Sequence, residues 1–245
     1  HRPVLTSASR PLTFTVEARN ERGETEATSI AGEHPLTLYV DKLEIVTLMT
    51  LGGAPEALAI GYLRNQRLVA RLEDIVAVQV DWETDSVAIT THRSAEDLDA
   101  RMEKRTVTTG CGQGTMFGSL MEQIDSVKLP SAATARIRQS TLHTLNDAMR
   151  KIDSVHRRAG SVHGCALFRG IEMLTFVEDV GRHNAIDTIA GWMWMHGDAP
   201  LGQGGDKVFY TTGRLTSEMV TKAAQLGVPI VISRNGVTQM GYELA

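Results

Sequence analysis

The sequence predicts a mixed α/β fold: a smaller β-rich part of α+β character over residues 1–110, then an α/β domain over residues 131–245. A glycine-rich cysteine loop and linker, residues 111–130, joins them. Three observations predict this division. Short apolar runs in the front part alternate with period two, the spacing of half-buried strands. From Gly160 onward strand-like runs alternate with helix-like runs. Glycine and proline punctuate the joints, as at Gly52-Gly53 and at Gly227 followed by Pro229. A chain of 245 residues, 42% of them hydrophobic, can bury a substantial core, in one large domain or two small ones.

Taken in order, residues 1–10 carry little pattern and read as a flexible lead. Leu12, Phe14 and Val16 alternate as a strand, and the polar, glycine-punctuated residues 20–32 read as a loop. Residues 35–40 and 43–48 flank Asp41-Lys42, which predicts two strands and a two-residue turn. Pro55 suits the first turn of a helix that runs to about Arg64. Residues 75–80 and 86–91 read as another strand pair, and the charged residues 96–105 as a solvated connector. Residues 131–156 read as one long helix with an apolar stripe of Ile137, Leu145, Met149 and Ile152.

In the back part, residues 162–168 and 173–177 form strands about an Arg169-Gly170 turn. A helix follows, with Ile186, Ile189, Ala190 and Met193 on one face and Asn184 as its N-cap. Residues 201–205 are a loop and 207–211 a strand. The next helix shows Met219, Val220, Ala223 and Ala224 on its apolar face and ends at Gly227. Residues 230–233 are fully apolar, which suits a parallel strand covered on both faces. Such a sheet binds ligands beyond the carboxyl ends of its strands, where residues 180–184, 212–217 and 233–238 would lie.

Composition narrows the function. A net charge of −4 gives no global basic field, so unspecific nucleic-acid binding is not expected. No apolar run approaches the roughly 20 residues a bilayer span needs, and no leader opens the chain, so a cytoplasmic location without membrane attachment is expected. Two cysteines in unlike settings, Cys111 and Cys165, fit a reducing compartment. Both ends, at His1 and within an amphipathic segment at Ala245, read as cut.

Three features carry candidate chemistry. Residues 176–195 pack Glu178, Asp179, Arg182, His183 and Asn184 around Gly181 just ahead of a helix. That suits an anion such as phosphate, and equally a solvated loop held by an Arg–Asp pair. Cys111, between Gly110 and Gly112, has little to bury its thiol. It could attack a carbon or phosphorus centre, carry sulfur as a persulfide, or be an incidental free thiol. Cys165, between Gly164 and Ala166 in a strand, reads as a small core residue. Arg182, Arg214 and Arg234 each stand at a strand exit, with Thr216 and Ser217 at a helix start beside the second, and suggest a pocket for a large phosphate-bearing ligand. No zinc-ligand spacing and no P-loop occurs, so no intrinsic metal is expected.

The runs E-D-V-G-R-H-N-A-I-D from Glu178, G-S-V-H-G-C-A-L-F from Gly160, T-G-R-L-T-S-E-M-V from Thr212 and E-H-P-L-T-L-Y-V from Glu33 resemble the FdhD family of formate dehydrogenase accessory sulfurtransferases. The resemblance implies a back domain similar to cytidine deaminases without their zinc ligands. It also implies that persulfide sulfur passes from a cysteine desulfurase to the molybdenum cofactor, as bis(molybdopterin guanine dinucleotide), for formate dehydrogenase. Cys111 matches the first cysteine of the family's C-G-x-C loop and would carry the sulfur. Arg182, His183, Gly213, Arg214 and Ser217 would bind the cofactor. The chain departs from the family pattern at Gly114, which replaces the second loop cysteine, and at Thr50-Leu51-Gly52-Gly53, which replaces T-P-G-D. The family also continues past Ala245. A cofactor chaperone that moves no sulfur is the alternative, and a homodimer is expected from the frequency of symmetric oligomers.

Overall fold

The computed structural model describes residues 2–92, 127–197 and 205–245. The front sheet has the strand order β1 (Val4–Leu5), β6 (Ile75–Asp81), β7 (Ser86–Thr91), β4 (His34–Val40) and β5 (Leu43–Thr50). Strands β4 and β5 meet at Asp41-Lys42, whose φ angles of 47° and 76° are those of the primed turn that matches strand twist. Leu36, Leu38, Val40, Val78 and Ile89 point from this sheet into a core closed by helix α1 (Pro55–Asn65).

Every residue of α1 is buried, because its second face lies against α4 (Arg182–Met195). The two backbones touch. A Cβ on Gly61 would sit 1.6 Å from the Asp187 carbonyl oxygen, and one on Gly191 would sit 2.0 Å from that of Ala57. Any side chain at either position would force the helices apart, so glycine is what lets the front and back parts share one helical layer.

The back sheet runs β11 (Ile230–Ser233), β10 (Lys207–Thr211), β8 (His163–Arg169) and β9 (Glu172–Asp179), with β10 and β11 parallel as the sequence predicts. Helices α4 and α5 (Ser217–Gln225) cover one face through Cys165, Leu167 and Phe209. Helix α2 (Gln139–Lys151) covers the other through Leu145, Ala166, Phe168 and Tyr210.

Five expectations need correction. Residues 1–10 are not a free lead: Val4–Leu5 pairs with β6, the Ala8 amide donates to Glu56 Oε1 at 2.7 Å, and the Arg10 guanidinium donates to the Trp82 carbonyl at 2.9 Å. Residues 20–32 hold a strand, β3 (Thr25–Ala31), which pairs antiparallel with β2 (Thr13–Arg19). Strand β3 is exposed over most of its length, so it has no buried apolar face and no period-two signal. The long helix predicted over residues 131–156 is two, α2 and α3 (Val155–Ala159), broken because Glu178 and the Ser154 side chain take up amides at the start of α3. Strand β11 is partly exposed throughout, since it is the sheet's edge. Finally, Asn184 is not the N-cap of α4. Gly181 is, and the Asn184 amide is used elsewhere.

Candidate functional site

The polar stretch at residues 178–184 divides into two sets of side chains with opposite fates. Glu178 accepts from the Val155 amide at 2.6 Å and the His156 amide at 3.0 Å, which starts α3. Asp179 is buried and accepts four bonds: from Thr50 Oγ1 at 2.5 Å, the Leu51 amide at 3.1 Å, the Gly181 amide at 3.1 Å and Asn184 Nδ2 at 2.8 Å. Asn184 Nδ2 also donates to the Met49 carbonyl at 2.7 Å. Burial alone would push the Asp179 carboxyl up, and these donors pull against it. All three residues are structural ties between β5, α3 and α4.

Arg182 and His183 point elsewhere, and each leaves one buried nitrogen unsatisfied. Arg182 Nε and His183 Nε2 are buried without a hydrogen bond, and so are Thr216 Oγ1 and Glu218 Oε1 at the start of α5. Neither α4 nor α5 has a side-chain cap, as is also true of α1 and α2, whereas the short helices α3 and α6 (Gln239–Leu244) are capped by Ser154 and Thr238. The two helix starts lie side by side: a Cβ on Gly213 would meet Arg182 Cδ at 3.0 Å. Gly213 therefore leaves room for the arginine stem. Helix starts carry partial positive charge and free amides, and a buried polar atom without a partner is costly, so their coincidence makes this the candidate ligand site. Elsewhere two unpartnered groups have rings beside them: the Arg64 guanidinium lies 5.5 Å from the Trp194 ring centroid, and His34 sits between Phe14 and Trp82. Gln225 has no such neighbour.

The surroundings are basic. His163, first residue of β8, is held below the ordinary histidine pKa by burial and then by Arg182, His156 and Arg214. His183 is driven down to about 2 by burial, then by Lys222, Arg182 and His163. Beyond them, a cavity of about 300 Å³ opens at the carboxyl ends of β9, β10 and β11, among Arg150, Arg157, His156, Arg234, Thr212 and Glu178. A hollow of about 420 Å³ at the opposite end of the sheet, near Arg136, Arg138 and Lys207, has no unpartnered buried polar atom in its lining.

The structure thus brings together Arg182, His183 and Gly213, with Arg214 within electrostatic reach of His163 and exposed, and Ser217 half-buried as the first residue of α5. Cys111 and Gly114 lie outside the described residues. Cys165 is a buried core residue, as expected: its thiol donates to Thr211 Oγ1 at 3.3 Å, and burial pushes its pKa up to about 12. Glu218, Lys222 and Asp187 were not legible as site residues. A Glu four positions before a Lys on a helix is the ordinary pattern of an exposed pair, and nothing local announces that this one is buried.

The model of the FdhD/NarQ family matches residues 31–245. The chain is similar to a sulfur carrier protein FdhD of Bacillus pumilus, 30% identical over 88% of this chain and 80% of that protein. It is also similar to a sulfur carrier protein FdhD of Geobacillus kaustophilus, 28% identical over 93% and 84%. Among solved structures, a candidate formate dehydrogenase accessory protein from Desulfotalea psychrophila superposes with a TM-score of 0.68 at 23% identity, over 96% of this chain and 89% of the other, which shows the shared fold.

Proposed function

From a chain that belongs to the FdhD/NarQ family, we infer a sulfurtransferase that carries persulfide sulfur from a cysteine desulfurase to the molybdenum cofactor required by formate dehydrogenase. The Cys111 thiolate attacks the sulfane sulfur of the desulfurase persulfide and displaces the desulfurase cysteine as thiolate; the cofactor then takes that sulfur, supplying the two electrons that bring it to the sulfide level, and Cys111 leaves as thiolate. The cofactor is the bound substrate. Its guanine nucleotide end carries phosphates suited to Arg182, Arg214 and the amides at the starts of α4 and α5, around Gly213 and Ser217. One observation supports the binding half of this reading: three buried polar atoms without partners, on Arg182, His183 and Thr216, fall on two adjoining helix starts in basic surroundings. The carrying half rests on family membership and on the glycines around Cys111. The protein works in a reducing compartment, the cytoplasm, as a homodimer. No helix among the described residues is long and apolar enough to cross a membrane.

The test is mass spectrometry of the full chain after incubation with a cysteine desulfurase and cysteine. Cys111 is expected to gain one sulfur atom, and Cys111→Ala is expected to abolish activation of formate dehydrogenase. The replacement of the second loop cysteine by Gly114 favours a second reading, a chaperone that delivers cofactor without moving sulfur. Under that reading Cys111→Ala still activates the dehydrogenase, while Arg214→Ala does not.

A further inference from the structure

His183 sits where a phosphate ligand would be convenient, yet its surroundings prepare it for the opposite kind of contact. Its Nδ1 lies 3.2 Å from Glu218 Oε2. Glu218 Oε1 lies 3.7 Å from Lys222 Nζ, which donates to Asp187 Oδ2 at 2.8 Å. Asp187 Oδ1 accepts from Asn65 Nδ2 at 2.7 Å. Lys222 and Asp187 are both fully buried, and Asn65 belongs to the last turn of α1, so the row runs from the ligand site to the seam between front and back parts. A carboxylate 3.2 Å from Nδ1 favours the tautomer that carries its proton there. The other nitrogen, Nε2, is then a bare lone pair, and it is the one buried without a partner.

The geometry points to His183 as a hydrogen-bond acceptor that reads an N–H group on the ligand, with Glu218, Lys222, Asp187 and Asn65 as positioning residues that hold it in that tautomer. The diester phosphates of a dinucleotide offer only acceptor oxygens at neutral pH, so they have nothing to donate to a bare Nε2. A heterocycle with ring N–H and amino donors, as in guanine or a pterin, does. The arginines and helix amides would hold phosphate while His183 meets a base edge. The charged groups facing the ring, Lys222, Arg182 and His163, all oppose a second proton on it, and Glu218 alone favours one. Burial dominates that balance and keeps the ring neutral. Glu218 is itself pushed up by burial, while Lys222 pulls against that rise.

This inference rests on the nucleotide reading of the site, and the experiment separates the two. The full chain is labelled with ¹⁵N-histidine, and long-range ¹H–¹⁵N spectra are recorded from pH 5 to pH 8, with His183→Gln identifying the signal. The expected result is a neutral ring, protonated at Nδ1 and bare at Nε2, across the range. Glu218→Ala should mix the tautomers, and Glu218→Asp should restore the fixed one. In parallel, calorimetric titrations use guanosine diphosphate (GDP) and inorganic pyrophosphate as probes. Glu218→Ala should weaken GDP about tenfold, the worth of one hydrogen bond at the upper end of the usual range, and leave pyrophosphate unchanged. An Nε2-protonated or cationic ring overturns the inference, and so does an equal loss of both probes in Glu218→Ala. Failure of the wild type to bind either probe sinks the nucleotide reading instead, and a bare Nε2 then still assigns the acceptor.

Discussion

Asp179 and His183 stand four residues apart in one short motif, both buried, and they differ in one respect that decides what each is for. Asp179 accepts four hydrogen bonds from two segments, whereas His183 has a ring nitrogen with no hydrogen bond. The first is a finished joint and the second is half of an interaction. Crowded polar residues do not by themselves mark a site, because a chain can need them to fasten helices and strands to one another. What distinguishes the two uses is whether the protein satisfies its own buried groups.

That distinction predicts opposite responses to substitution. The largest effect belongs to the joint. Asp179→Ala strands the donors of Thr50, Leu51, Gly181 and Asn184, and should cost about 3–5 kcal/mol of folding stability in urea denaturation. A loss under about 1 kcal/mol would show that the joint is not what fastens β5 to α4.

Acid should come next. His183 has a folded-state pKa of about 2 against 6.5 when free. The unfolded chain therefore takes up a proton that the folded one refuses. This stability is fully present above pH 6.5 and is lost as pH falls towards 2, at about 1.4 kcal/mol per pH unit. His163 and His34, also lowered, act in the same direction, while Asp179 and Glu218, raised by burial, partly offset it at lower pH. Denaturation midpoints measured from pH 7 to pH 5 should fall steadily, and His183→Gln should flatten the slope.

Gly213→Ala should leave stability nearly intact but displace the Arg182 stem, and weaken GDP binding about tenfold in calorimetry, about 1.4 kcal/mol. The smallest effect on folding is at Thr216. Its Oγ1 is buried without a partner, so Thr216→Val should change stability by no more than about 1 kcal/mol, and in the stabilising direction. A clear loss of stability would move Thr216 from the ligand set to the joint set.

Much of the architecture was legible before the coordinates. Pro55 started α1, Gly227 ended α5, and the alternation of strands and helices after Gly160 placed β8 through β11. These signals are local, carried by propensity and period. The errors arose where structure depends on distant partners. The ribbon strand β3 has no apolar face to announce it, and the break between α2 and α3 is caused by Glu178, which arrives from another strand. The site was half legible for the same reason. Arg182, His183 and Arg214 stood out as polar residues at strand exits. The buried row behind His183 did not, because Asn65, Asp187 and Lys222 meet only once α1, α4 and α5 have packed. The identity of Gly61 and Gly191 was equally silent in sequence, since only the crossing of α1 over α4 makes them necessary.

The most direct test of the central claim pairs two readings on the full chain and on Arg182→Met: calorimetric titration with GDP and the urea denaturation midpoint. The account predicts that the wild type binds, that Arg182→Met binds roughly thirtyfold more weakly, about 2 kcal/mol, and that the two unfold within about 0.5 kcal/mol of each other. Equal binding by both proteins, or a variant that loses stability in step with binding, would place Arg182 among the structural ties and contradict the account.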